Sequence, residues 1–116
     1  MENNIKEIKE EGYLVIVEGR KDKEALNELG IDNVIYLKNR PLFEIVEDIN
    51  ERDVVILTDL DVEGRKIFNK LRYLLQRRRI RLHNQIRNTL FRTRLRNIEG
   101  LNNYLKKDSH IKLFDF

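Results

Sequence analysis

Tyr13-Leu14-Val15-Ile16-Val17-Glu18-Gly19-Arg20-Lys21-Asp22 is an apolar run that breaks abruptly into charge. Its β-branched content and the glycines that border it, Gly12 and Gly19, predict a strand buried on both faces, as strands of parallel sheets are. Working outward, residues 22–29 suit a short helix on Ala25, Leu26 and Leu29, stopped by Gly30. Asn33 to Leu37 reads as a second strand. Pro41 sits where a helix begins, and Leu42, Ile45, Val46 and Ile49 recur at helical spacing. Asp53 to Thr58, with Val-Val-Ile-Leu at its centre, is a third strand. After a turn at 59–63, Ile67, Phe68, Leu71, Leu74 and Leu75 form the stripe of a longer helix.

Arg79-Ile80-Arg81-Leu82-His83 alternates strictly, which predicts a half-buried edge strand with one basic face. Residues 85–96 suit a helix with Ile86, Leu90, Phe91 and Leu95 inward. A last short helix is expected from about Glu99 to Lys106, and the apolar tail His110 to Phe116 would add a strand or dock in a groove. Strands alternating with helices imply right-handed crossovers and a parallel sheet. The expected architecture is one α/β domain over residues 1–116, with a central parallel sheet of about four strands.

The 116 residues fit a single domain. Leu, Ile, Val and Phe make up about a third of them, whereas chains disordered by composition fall below ~20%. The apolar runs are far shorter than the ~18 residues of a membrane span, and the acidic, polar N-terminus lacks the features of a signal peptide. With no cysteine there is no disulfide framework, zinc-thiolate site or cysteine nucleophile. A cytoplasmic protein is expected. The net charge of +3 is a cancellation: residues 1–64 carry −9, residues 65–96 carry +12 with no acid among them, and the remainder balances. A one-sign stretch of that length calls for a polyanion or an acidic surface to compensate it.

Functional groups of open parallel sheets collect at the carboxyl ends of the strands. The first strand ends in Glu18-Gly19, and the third in Asp59-Leu60-Asp61-Val62-Glu63-Gly64. If those strands are neighbours, ~4.8 Å apart, Glu18, Asp59 and Asp61 converge on one rim. Carboxylates that close repel, and a hard cation relieves the repulsion. Mg²⁺ takes a few carboxylates, keeps waters, and draws its other ligands from phosphate oxygens. Gly19 and Gly64 are expected to give backbone freedom beside the acids. Asp22 and Asp61 also suit helix N-caps, which accounts for one acid per loop but not for acids at two strand ends.

Residues Val17 to Leu26 resemble the first motif of the Toprim domain, Glu-Gly-(basic)-x-Asp after an apolar strand. Leu57 to Gly64 resemble its second, Asp-x-Asp-x-x-Gly after another strand. Order and interval also match, and the likeness spans roughly residues 12–85. It is to the small stand-alone Toprim proteins of bacteria and archaea, relatives of ribosomal-RNA maturation nucleases, primases and topoisomerases. The resemblance implies a Rossmann-like three-layer α/β/α fold and a Mg²⁺-dependent phosphodiester site, with Mn²⁺ as a substitute. In it Glu18 is the general acid or base and also a metal ligand, together with Asp59 and Asp61, which coordinate the ion. Gly19, Asp22 and Gly64 shape the turns. The chain lacks a primase's zinc ribbon and the length for a topoisomerase's tyrosine domain, which leaves hydrolysis, or catalysis supplied to a protein partner.

Arg20, Lys21, Arg65 and Lys66 are expected to hold phosphate near the rim. Arg77, Arg78, Arg79 and Arg81, then Arg87, Arg92, Arg94 and Arg96, form the dominant basic region. Arginine's planar fork binds two phosphate oxygens at once, and such contacts confer affinity without reading sequence. Tyr73 stands among these cations where it can stack on a base, whereas the spacing of Phe91 suits the core. The expected partner is nucleic acid, RNA or DNA. A non-catalytic nucleic-acid-binding module on the same scaffold is the alternative. A dehalogenase-type nucleophile motif, a response-regulator receiver and a dinucleotide-binding turn each lack a required residue: Glu63 stands where the first wants Thr or Val, Glu-Gly follows strand one where the second wants an acidic pair, and Gly-x-Gly-x-x-Gly is absent. His83 and His110 carry no assigned role.

Overall fold

The computed structural model describes residues 2–90. The elements run α1 (Glu2–Glu11), β1 (Leu14–Val17), α2 (Arg20–Glu28), β2 (Val34–Tyr36), α3 (Leu42–Glu47), β3 (Asp53–Ile56), α4 (Val62–Arg77), β4 (Arg81–Leu82) and α5 (Asn84–Leu90). The four strands form one parallel sheet in the order β2-β1-β3-β4. Strands one and three are therefore neighbours, with Leu14 opposite Val54 and Ile16 opposite Ile56.

Period-two alternation sends the strand residues to two separate cores. Val15, Val17, Val55 and Leu57 face one layer, where they meet Ile5 and Ile8 of α1, Leu26 of α2 and Ile86 of α5. Leu14, Ile16, Val54 and Ile56 face the other, against Ile45 and Val46 of α3 and Leu71 and Leu75 of α4. Both faces of the sheet are covered, which is why β1 and β3 read as continuous apolar runs. The result is a three-layer α/β/α sandwich.

Several boundaries differ from the sequence expectation. Helix α1 was not anticipated: only Ile5 and Ile8 of its ten residues are large and apolar, yet both are fully buried. Two side chains one turn apart suffice once a core exists to receive them. Helix α2 begins at Arg20, so Arg20 and Lys21 form its first turn instead of preceding it. Strand β4 keeps only Arg81 and Leu82 of the alternating segment. His83, which has no role assigned from the sequence, ties this short edge strand down: its Nε2 lies 2.9 Å from Asp53 Oδ1, and its ring stacks on Tyr13 at 4.1 Å between centroids. Phe91, Leu95, the helix expected at 99–106 and the tail 110–116 lie outside the described residues. Among the described residues, no helix is long and apolar enough to cross a membrane.

Residues 79 and 80 are used to end α4. Arg79 adopts a left-handed conformation, φ 59°; its N–H donates to the Gln76 carbonyl, and the Ile80 N–H donates to the Leu75 carbonyl. This pair of bonds is a Schellman motif, closed by Ile80 and Leu75 packing in the same core. Helix α2 ends the same way with Gly30 at the left-handed position, φ 88°.

Candidate functional site at the carboxyl edge of the sheet

Because β1 and β3 are parallel neighbours, the residues that follow them leave the sheet on one side. Leu57 continues the ladder by donating its N–H to the Ile16 carbonyl at 2.8 Å. Beyond it the backbone N–H of Asp59 donates to Glu18 Oε1 at 3.0 Å. The two acidic strand ends are thus joined directly.

The turn between β3 and α4 is held by its own side chains. Asp61 is the N-cap of α4, its Oδ1 accepting the Gly64 N–H at 2.7 Å, the usual satisfaction of an unpaired N–H at a helix start. Buried Thr58 donates its hydroxyl to the Gly64 carbonyl at 2.9 Å. Gly64 itself is buried against the turn. A Cβ placed there would stand 2.1 Å from the Asp59 carbonyl oxygen and 2.8 Å from Glu18 Oε1. Close approach, not φ freedom, makes Gly64 necessary.

Gly19 differs. It caps α2 in extended geometry, φ −127° and ψ 168°, which any residue adopts, and an added Cβ would meet only Asp22 Oδ2 at 3.7 Å. The backbone freedom expected of Gly19 is therefore not used. Asp22 sits in the first turn of α2 and accepts the Gly19 N–H at 3.1 Å.

Burial pushes the Glu18 carboxyl above the usual carboxylate range, and the charges of Asp61, Asp22 and Glu63 push it further; the Asp59 N–H pulls the other way. The rim thus carries an excess of negative charge. Cations flank it in the first turns of two helices: Arg20 and Lys21 on α2, Arg65 and Lys66 on α4, all exposed. Arg20 also pairs with Glu24 at 3.1 Å on the surface.

The donor atoms on this rim are hard carboxylate oxygens, the chemistry that suits Mg²⁺ or Mn²⁺. Among the described residues, no three or more Asp, Glu or His side chains are arranged as a group able to hold a metal ion. One oxygen of Glu18 accepts from the Asp59 backbone, and one of Asp61 caps α4. Mg²⁺ commonly takes only one or two carboxylates besides waters and phosphate oxygens, so the set fits a weakly caged ion of that kind.

The basic stretch is divided between the two ends of the fold. Arg81 opposes Asp53 at the amino end of β3, its Nη1 3.7 Å from Asp53 Oδ1. Arg79 ends α4 on that same side, about 24 Å of helix from the rim. Arg78 turns its Nη1 onto the carbonyls of Val46 and of Ile49, the latter at 2.8 Å, and so closes the end of α3. Arg77 is exposed beside Tyr73, its guanidinium carbon 5.7 Å from the ring centroid. These four arginines are not gathered with the acids.

Arg87 is, although in the sequence it counts as one more member of the basic region. It is buried behind the β3–α4 turn, where Nη2 donates to the Thr58 carbonyl at 2.9 Å, the Thr58 hydroxyl at 3.2 Å and the Asp59 carbonyl at 3.2 Å. Its guanidinium lies 4.5 Å from the Phe68 ring centroid. Burial and the neighbouring Arg65 lower its pKa, while Glu18 and Asp59 oppose that shift. The signal in the sequence is its place beside inward-facing Ile86 on α5, at the border of the apolar stripe.

Comparison with known proteins shows the family and the fold. The model of the Toprim domain matches residues 12–84. A UPF0292 protein of Methanocaldococcus jannaschii is 30% identical over 100 residues, covering 80% of this chain and 78% of its own. A UPF0292 protein of Thermococcus onnurineus is 32% identical over 121 residues, covering 96% and 91%. Among solved structures, a protein from Aquifex aeolicus superposes with a TM-score of 0.77 at 31% identity, covering 85% of this chain and 95% of that one. The zinc-binding and RNA polymerase domains of the Aquifex aeolicus primase share the fold, with a TM-score of 0.56 at 22% identity over 97% of this chain and 27% of that one.

Proposed function

This chain belongs to the Toprim domain family, and from that premise we propose that it is a Mg²⁺-dependent nucleic-acid-processing protein that hydrolyses phosphodiester bonds. The family as a whole binds divalent metal and works on nucleic acids. The observation that carries the reading is the contact between Glu18 and Asp59 at the carboxyl edge, with Asp61 two residues on and exposed cations on either side.

Asp59 and Asp61, with Glu18 beside them, would hold the ion. When bound, Mg²⁺ or Mn²⁺ supplies charge stabilisation to the phosphate and its displaced oxygen. Glu18 would move a proton as general acid or base, its carboxylate held at the edge by the Asp59 N–H. Arg20, Lys21, Arg65 and Lys66 draw the phosphate backbone to an otherwise repulsive acidic edge. The reading takes residues 1–116 as one cytoplasmic domain, with a motif-bearing core at 12–85 and a basic helical part at 84–116.

One observation favours the alternative, a binding module without chemistry: the lack of a ready three-ligand group among the described residues. The test incubates structured RNA and single-stranded DNA with the protein and Mg²⁺ or Mn²⁺. Cleavage by the wild type that Glu18→Gln and Asp59→Asn abolish is the expected result. Salt-sensitive binding without cleavage, unaltered by either substitution, establishes the module instead.

A further inference from the structure

Helix α4 starts at the acidic rim and runs back along one outer layer. Lys66, Lys70, Tyr73 and Arg77 are spaced i, i+4, i+7 and i+11 on it, so they share one stripe, about 16 Å long. All four are exposed.

Tyr73 is 61% exposed, and Phe43 on the neighbouring helix α3 is 59% exposed. Among the described residues only Val62, at the rim, joins them as an exposed large apolar side chain. Phe43, Val46, Leu74, Arg77, Arg78 and Glu47 line a groove of about 230 Å³ between α3 and α4. Glu47 there disfavours phosphate but not an uncharged base. Arg77 sits 5.7 Å from the Tyr73 ring and shares the stripe with it, so the ring, the groove and the line of cations adjoin. Helix α4 carries no acid after Glu63.

We propose that the α4 stripe with the Phe43–Tyr73 surface is a track for single-stranded nucleic acid: unpaired bases stack on Tyr73 and Phe43 while Lys66, Lys70 and Arg77 follow the phosphates toward the rim. Single-stranded binders join a cationic line to aromatic platforms, and a stacking platform serves any base. Duplex offers no free base faces, so the aromatic pair selects unpaired strands. The inference rests on the reading of the rim as a nucleic-acid site, because it supplies that site's substrate class. Binding in EDTA separates the two, since the track needs no metal.

The experiment titrates full-length protein with fluorescent oligouridylate, oligothymidylate and a duplex of equal length, in EDTA, over a series of salt concentrations. Tyr73→Ala and Phe43→Ala should each weaken single-strand binding about tenfold, the factor that ~1.4 kcal/mol of lost stacking produces, and leave duplex binding unchanged. Tyr73→Phe should restore it, because the ring is kept. Replacing Lys66, Lys70 and Arg77 together by Ala should flatten the salt dependence by about two units of slope, at ~0.7 per phosphate contact. Unchanged affinity in both aromatic variants overturns the track; a shift in their oligomeric state by light scattering with unchanged affinity assigns the surface to a second copy instead.

Discussion

Gly64 packs so tightly on Asp59 that a Cβ at position 64 would lie 2.1 Å from the Asp59 carbonyl oxygen and 2.8 Å from the carboxylate of Glu18. The turn that positions both acids is therefore built around the missing side chain. Gly64→Ala must move backbone, and a cost of about 1–3 kcal/mol is expected, as for overpacking elsewhere. Chemical denaturation should show that loss, and phosphodiester cleavage should fall with it. Gly19→Ala is the contrast: with extended φ and only a 3.7 Å contact no backbone has to move, and the loss should stay within about 1 kcal/mol, the preference of an N-cap for Gly over Ala.

Glu18 gives the fold a pH dependence of definite sign. Its folded pKa is raised, by burial first and by Asp61, Asp22 and Glu63 next. The folded state thus favours the proton more than the unfolded chain does. The stabilisation is full below the unfolded value of ~4.3 and is lost as pH rises through the folded value. Thermal melts in EDTA should show Glu18→Gln with a higher Tm than the wild type at neutral pH and a flatter profile across the weakly acidic range. Both features should shrink when Mg²⁺ is added to the wild type.

Arg87 is a buried charge whose hydrogen bonds end on the carbonyls of Thr58 and Asp59. Arg87→Leu leaves those carbonyls without their donor; the Thr58 carbonyl is the buried one, and an unsatisfied buried group costs about 1–3 kcal/mol. Denaturation should show a loss in that range, and the Asp59–Glu18 contact should loosen, read as weaker Mg²⁺ binding by calorimetry. Arg65→Ala, at an exposed position nearby, should change stability by less than about 0.5 kcal/mol.

Arg79 occupies the left-handed position of the α4 Schellman motif, the place that Gly30 fills in α2. Arg79→Gly removes the Cβ strain and should stabilise the protein by about 0.5–1 kcal/mol in urea melts. A loss of stability would mean that the Arg79 side chain makes a contact worth more than the strain it brings.

The amino-acid pattern alone specified buried strands in a parallel sheet, while the three layers came with the resemblance to Toprim domains. The apolar runs 14–17 and 53–57, read against the helical stripes after Pro41 and Asp61, require strands covered on both sides, and a parallel sheet is the arrangement that covers them. The Glu-Gly and Asp-x-Asp motifs were legible for the same reason: strand ends are marked by an abrupt change from apolar to charged, and that change is local. Helix α1 was not legible, because Ile5 and Ile8 amount to a helical face only when a core lies beneath them. Nor was the fate of the arginines. Twelve cations in residues 65–96 look alike in one dimension, yet Arg87 turns inward to hold the turn at Asp59, Arg78 closes α3, and Lys66, Lys70 and Arg77 remain outside in line with Tyr73. Which side of a helix faces the protein follows from packing between elements distant in the chain, and the sequence separation of 41 between Glu18 and Asp59 is bridged only when β1 and β3 pair.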